Sequence, residues 1–319
     1  MNIAQVIGVK QKTKTDTHTQ VPTDCQQISF QFQDLGSRSV EADFGGGYCY
    51  LPLLAYIGSV PVWAQLRQAD RDAADGTVAA LQAIVQEIRK RCPTARIILR
   101  GDSGFCREEI MAWCEAHRVR YVLGLARNAR LLALLTPTLV RARERAILCG
   151  GHTREFTEFT YQTLDSWSCA RRVIGKAEIL GDKDNPRFIV TNLPASDHES
   201  AALYEDVYCA RGDMENAIKE HQLDLFGERL SCQGFASNEV RLLWAGFAHY
   251  LIERLRSLGL QGTEMANATA QTLRCQLFKL AAQVCVSVRR VHVRFASAFP
   301  RQDLFAKVHR QLACCNAFG

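Results

Sequence analysis

Two clusters of residues have types and spacing that could do chemistry. In Arg100-Gly101-Asp102-Ser103-Gly104-Phe105 a carboxylate follows a short β-branched run, Arg96-Ile97-Ile98-Leu99, and precedes a helical stretch. A carboxylate at the carboxyl end of a strand sits where open α/β sheets hold their ligands, and it can reach a metal ion there. The same side chain, or Ser103, can equally cap the turn that follows. The second cluster runs Tyr208-Cys209-Ala210-Arg211-Gly212-Asp213-Met214-Glu215-Asn216-Ala217-Ile218-Lys219. On one continuous helix Tyr208, Arg211, Glu215 and Lys219 would share a face, being three, four and four positions apart. One carboxylate between a guanidinium and an ammonium suits a metal-held phosphodiester, the acid taking the cation and the bases the phosphate. A solvated ladder of i,i+4 ion pairs accounts for the same residues without function, at a few tenths of a kcal/mol per pair.

The elements that must position these clusters read as α/β. An alternating pattern begins at Ile28, Phe30 and Phe32, and the Gly45–Gly47 run makes a turn. Tyr48–Ile57 and Val60–Leu66, joined by Gly58-Ser59, predict a hairpin. Apolar residues at 78, 81, 84, 85 and 88 predict a helix over 75–91, with Asp75 as N-cap and Pro93 as its stop. A strand at 95–99, a helix at 107–117 and a strand at 121–126 follow, an order that implies neighbouring parallel strands. Residues 127–195 change character, with strands at 156–161, 171–179 and 187–193, and read as a β-rich insertion. Helices are expected over 199–222, 236–260 and 263–282, then a strand over 284–295 with one basic face carrying Arg290, His292 and Arg294. The expected organisation is a flexible arm over 1–27, the first part of a core over 28–126, the insertion over 127–195, and the second part of the core with a C-terminal region over 196–319.

Composition narrows the class. The chain has 319 residues, 47% hydrophobic and 23% charged, close to a globular average, which excludes wholesale disorder and collagen-like repeats. No apolar run approaches the ~18–20 residues that span a bilayer, so no membrane partner is expected. The start, MNIAQVIGVKQKTKTDTHTQ, lacks a signal peptide's apolar centre, so a cytoplasmic location is expected. The 13 cysteines show no C-x-x-C pair and read as reduced thiols, mostly small core residues. The net charge is +6, and the basic excess concentrates at 118–130 and 280–319. That distribution favours a polyanionic partner.

Taken together, the motifs resemble the DDE transposases of bacterial insertion sequences, in the transposase DDE domain group 1. The resemblance runs from about residue 48 to 315, through YCYLPLL, RGDSGFCREE, YVLGLARN, PRFIVTNLP, LYEDVYCARGDMENAIKEHQLDLF and SVRRVHVRFASAFP. It implies an RNase H-like core interrupted by a β-rich insertion, two Mg²⁺ ions (Mn²⁺ could replace them), and a triad of two aspartates and a glutamate. By motif, Asp102 is the second aspartate and Glu215 the glutamate of a tyrosine–arginine–glutamate–lysine signature that Tyr208 and Arg211 also match. The signature lysine falls at Gln222, and Lys219, one turn earlier, could substitute.

The resemblance also locates a departure. The family's first aspartate lies in a strand before the YCYLPLL hairpin, whereas here SVEADFGGG runs straight into it, as though an intervening stretch were deleted. That stretch would carry the first core strand and part of the DNA-binding region, and Asp43 is the nearby carboxylate left to replace the first aspartate. The implied function is DNA cleavage and strand transfer by a two-metal mechanism, impaired by loss of that aspartate. A catalytically inactive remnant that binds DNA, or a metal-dependent nuclease, are the alternatives. The implied partner is double-stranded DNA, both insertion-sequence ends and target, gripped by Tyr208, Arg211 and Lys219 with Trp167 stacking on an unpaired base. A homodimer at the nucleoid is the implied assembly and place.

Overall fold

The structure, a computed structural model, describes residues 27–34, 50–181, 183–209 and 212–316. The chain forms two units, Met1–Glu215 and Asn216–Gly319. Asp43 and most of the 1–27 arm lie outside the described residues.

The first unit is built on one mixed sheet of nine strands. Its elements are β1 (Gln27–Asp34), β2 (Leu53–Ile57), β3 (Val60–Gln65), α1 (Thr77–Arg91), β4 (Arg96–Gly101), α2 (Glu108–Ala116), β5 (Arg120–Leu125), α3 (Ala129–Cys149), β6 (His152–Tyr161), β7 (Arg171–Leu180), β8 (Lys183–Asp184) and β9 (Arg187–Thr191). The strand order is β3-β2-β1-β4-β5-β9-β7-β6, with β8 on β7. β1 runs antiparallel to β2 and parallel to β4, and β4 runs parallel to β5. That arrangement is compatible with an RNase H-like core. It also corrects one expectation: the first core strand was expected to be lost with the missing stretch, whereas Gln27–Asp34 occupies the place between β2 and β4.

The hairpin at Gly58-Ser59 is as expected, although its first strand begins only at Leu53, with Tyr50 held in a bridge to Gln68. Helix α1 buries Ala80, Leu81, Ile84, Val85 and Ile88 at helical spacing, and Arg89, Lys90 and Arg91 favour its negative end. Asp75 does not cap it. Gly76, in the left-handed region at φ 77°, precedes the helix, while the Asp75 carboxylate binds Arg71 and its carbonyl accepts from Arg67.

The stretch 127–195, expected to be β-rich, opens with a 21-residue helix, α3. Pro137 in mid-segment hid it, but Asn128 caps it by accepting from Leu131 N–H at 2.9 Å, and Gly150 ends it in the left-handed region. Strands β6, β7 and β9 then extend the core sheet instead of forming a separate one, β9 pairing antiparallel with β5.

One face of that sheet is covered by the segment Ser200–Tyr208, where a short helix, α4 (Ser200–Ala202), passes into a π-helix over Leu203–Tyr208. Leu203, Tyr204 and Val207 bury against Ile98, Val122, Ile174 and Ile189 from four strands. Because strand residues alternate between faces, Phe32, Leu99, Leu123 and Phe105 belong to the other side, where the Phe32 and Phe105 rings lie 5.9 Å apart.

Helix α5 (Gly212–Lys219) begins in the first unit, ends in the second and continues into a π-turn. The second unit is mostly helical, and α6 (Phe235–Arg254) and α8 (Gln302–Asn316) are its longest helices among the described residues. The expected helix over 263–282 shrinks to α7 (Ala270–Leu273), followed by a π-turn to Phe278. The expected basic strand is a hairpin, β10 (Ala282–Val286) and β11 (Val291–Phe295), folded at Ser287–Arg290. The cysteines also depart from expectation: among the described ones Cys114 is buried, whereas Cys149, Cys169, Cys209, Cys275, Cys285 and Cys314 are exposed, and all are free thiols.

Candidate active site

Asp102 lies immediately beyond β4, at the carboxyl end of the strand. Both readings of it hold together. Its Oδ1 accepts from the Gly104 backbone N–H at 2.8 Å, capping the 3₁₀ turn Ser103–Phe105. Its Oδ2 accepts no hydrogen bond among the described residues, which leaves one hard oxygen for a ligand. The cap fixes the carboxylate on a rigid turn between β4 and α2.

The Tyr208 segment reaches this turn within the same unit. Gly124, on β5, is the point of contact: a Cβ there would meet the Tyr208 hydroxyl at 2.7 Å, the Ser103 nitrogen at 3.0 Å and the Asp102 carbonyl carbon at 3.2 Å. Only a residue without a side chain lets the tyrosine and the Asp102 turn close over β5. Below it, the buried Arg100 donates from Nη1 to the Val207 carbonyl at 3.2 Å, tying the π-helical segment to β4. Such a turn exposes carbonyls to unusual partners, and π-turns concentrate at functional sites. The Tyr208 ring pairs with Tyr204 at 5.4 Å.

The remaining candidates divide. The backbone of Glu215 lies in α5, but its side chain, and the whole of Arg211, are outside the described residues. Tyr208 ends the π-turn, and the expected shared face of Tyr208, Arg211, Glu215 and Lys219 runs through positions outside the described residues. Lys219 is exposed at the end of α5. Trp167, between β6 and β7, is 6% exposed, edge-on to Tyr161 at 5.8 Å and under the Arg171 guanidinium at 5.5 Å. A base could stack on it only after that packing opened.

The neighbour of Asp102 on β1 is informative. Gln31 pairs with Arg100 in the parallel register, so position 33 falls level with Asp102. Positions 31 and 33 are both glutamine. Gln31 is 1% exposed, and its Oε1 makes no hydrogen bond among the described residues. Gln31, a buried neutral amide, therefore stands level with Arg100, two positions before the level of Asp102.

Elsewhere, Glu220, His249 and Glu253 in the second unit bring ligand atoms within 4.8 Å of one another. Arg256 already occupies those carboxylates, donating to Glu220 at 2.9 and 2.7 Å and to Glu253. An ion entering there would have to displace a guanidinium. The cavity of about 970 Å³ lined by Arg96, Arg118, Arg120 and His198 lies at the amino ends of β4 and β5, away from Asp102.

Gly124 and Arg100 were missed as site residues, though both stand inside motifs already singled out, YVLGLARN and RGDSGF. Their roles arise from contacts with a segment more than 80 positions away, which no local pattern reveals. Among curated proteins none matches the chain. A family model described as transposase DDE domain group 1 matches residues 38–317, starting after β1 and covering both the Asp102 turn and the Tyr208–Lys219 signature. With a match over most of its length and a mixed sheet compatible with that fold, the chain belongs to the transposase DDE domain family.

Proposed function

We propose that this transposase acts on double-stranded DNA by phosphoryl transfer at the carboxyl ends of β4 and β1, using Asp102 and Glu215, with a glutamine where the first carboxylate would stand. Membership of the family makes DNA the substrate. The single observation that carries the reading is the seating of Tyr208 over Gly124 against the Asp102 turn. The first residue of the glutamate-bearing signature thereby meets the aspartate motif.

The residues fit a hard divalent cation in part. Asp102 offers an unengaged carboxylate oxygen, the donor Mg²⁺ prefers, and Mn²⁺ accepts the same set. Two such ions, when bound, lower the barrier by polarising the phosphate and activating the attacking oxygen. With glutamine at position 33, β1 would offer an amide in place of a charged oxygen, and the set would be one negative charge short of what two dications need. The expected consequence is slow chemistry.

The chain's own groups have separable tasks. The Gly104 N–H holds Asp102 at its angle, and Arg100 holds the Tyr208 segment down on β4. Arg211 and Lys219 would grip backbone phosphates, which position the substrate without reading sequence. Trp167 would stack on a base only if its contact with Arg171 opened. The extension of the sheet by β6, β7 and β9 is the family's insertion in this reading, and a homodimer would serve two element ends. No helix among the described residues is long and apolar enough to cross a membrane.

The test is cleavage of a supercoiled plasmid carrying the element's ends, with Mg²⁺ or Mn²⁺. Wild-type cleavage is expected to be very weak, and Gln33→Asp to raise it about tenfold or more, a gain of roughly 1.4 kcal/mol in the barrier. Adding Asp102→Asn to that variant should abolish the gain. Robust wild-type cleavage lost on Asp43→Asn would mean that Asp43 supplies the third carboxylate and that the glutamine assignment is wrong.

A further inference from the structure

We infer that the β10–β11 hairpin is a DNA-binding ribbon whose turn and outer face place Arg289, Arg290 and Arg294 on the phosphate backbone. The inference rests on the reading of the chain as a protein that acts on DNA and assigns a surface for it in the second unit.

The hairpin is exposed on both faces along its whole length. Its register pairs Val284 with Val293 and Val286 with Val291 on one face, and Gln283 with Arg294 and Cys285 with His292 on the other. A tight turn projects the tip: Ser287 N–H donates to the Arg290 carbonyl at 2.8 Å, and Arg290 N–H donates to Ser287 Oγ at 3.1 Å. Val288, at that tip, is 102% exposed. The base of the ribbon is anchored, since the Phe295 ring packs on Phe305 of α8 at 5.3 Å. An anchored base and a bare tip describe an arm. An isolated two-stranded ribbon is marginal in water, so this one needs something to lie against.

Charge indicates the occupant. No aspartate or glutamate occurs between Met265 and Gln302, while Arg274, Lys279, Arg289, Arg290, Arg294 and Arg301 do. Arg274 and Arg301 are engaged, with the Asp224 carbonyl and Glu264 respectively. Among the described residues Arg289, Arg290 and Arg294 meet no carboxylate. Three adjacent guanidiniums without counter-charge complement a polyanion, and a two-stranded ribbon fits the ~12 Å width of the DNA major groove. The valine face can contact thymine methyl groups there. A second copy of the chain is the weaker occupant. The apolar face measures about 17 Å by 10 Å at ~3.3 Å per residue and two strands, far below the ~800 Å² per partner of a stable interface.

The experiment titrates a fluorescein-labelled 30-base-pair duplex with the full chain between 50 and 200 mM salt, comparing wild type with the R289A/R290A/R294A variant. These side chains are exposed, so folding should be untouched, which circular dichroism checks. The expected result is a log–log salt slope shallower by about 2.7, three contacts at ~0.9 each, with Kd at 50 mM salt at least about tenfold weaker. Wild-type binding with an unchanged slope in the triple variant overturns the hairpin assignment alone. Absence of wild-type binding overturns the DNA reading together with it. If V286D/V293D instead abolishes a concentration-dependent dimer and leaves DNA affinity intact, the ribbon is a contact between copies and the assignment is again wrong.

Discussion

Replacing Gly124 with alanine tests whether the two motifs meet where the structure puts them. The new methyl would stand 2.7 Å from the Tyr208 hydroxyl and 3.0 Å from the Ser103 nitrogen. Ordinary contact for carbon is roughly 3.5 Å or more, so the overlap with Tyr208 approaches 0.8 Å. Overpacking of this kind costs about 1–3 kcal/mol. The φ of Gly124 is not in the left-handed region, so alanine also gains about 0.4–1 kcal/mol by restricting the unfolded chain. The net expectation is a loss of about 1–2 kcal/mol. With a urea m-value of roughly 2–3 kcal/mol/M for a unit of this size, the midpoint should fall by about 0.5 M. Tryptophan fluorescence follows it, since Trp63, Trp113 and Trp167 all lie in the first unit. The decisive variant adds Tyr208→Phe, which deletes the atom at 2.7 Å. Alone, Tyr208→Phe keeps the ring packed on Tyr204 and removes only the hydroxyl, so it should cost no more than about 1.5 kcal/mol. In the Gly124→Ala background it should restore about 1 kcal/mol. Additivity of the two substitutions within ~0.3–0.5 kcal/mol would refute the contact, and with it the meeting of the Tyr208 segment and the Asp102 turn.

Two further perturbations probe the frame around the site. Burial alone would raise the Glu178 carboxyl, but Lys176, Arg154 and Asn185 outweigh it and hold it at about 2. Its folded value lies below its unfolded value near 4.5, so the stability it contributes is complete above pH 4.5 and disappears as the pH falls toward 2. That loss amounts to roughly 3 kcal/mol, and Glu178→Gln should flatten the acid limb of a stability–pH curve; an unchanged limb would contradict the assignment. Arg171, whose side chain is 3% exposed, makes paired hydrogen bonds to Glu108 and Glu115, and these raise its pKa although burial by itself would lower it. Arg171→Ala should cost about 3–5 kcal/mol and loosen Trp167, and Arg171→Lys should recover only part because an ammonium cannot fork to two carboxylates. Full recovery by lysine, measured by urea denaturation, would be inconsistent with the bidentate geometry.

Much of this protein was legible from residue order alone. The strand before Asp102, the helix over 77–91, the hairpin at Gly58 and the two motif clusters all announce themselves locally. Strand alternation, helical spacing and turn glycines act over a few residues, so their signals sit in adjacent letters. The family followed from the same letters, and the match over residues 38–317 agrees with it. Tertiary structure decided the rest. The alternation of Ile28, Phe30 and Phe32 marks a strand but cannot name its neighbours. The pairing of Phe30 with both Ile57 and Leu99 joins residues 27 and 69 positions apart and makes Gln27–Asp34 a central strand. The helix over 129–149 was obscured because Pro137 argues locally against a helix, whereas the caps at Asn128 and Gly150 and the buried Leu131, Leu135, Leu139 and Ala142 favour it. The π-turn at Leu203–Tyr208, which sets Leu203, Tyr204 and Val207 together on the sheet, has no signature in a 3.6-residue pattern. Trp167 and Gly124 show the same division: a residue's type was visible, but what covers it depended on segments distant in the chain. Local propensity is written within a turn or a strand, whereas burial and contact are set by which surfaces the whole chain can bring together.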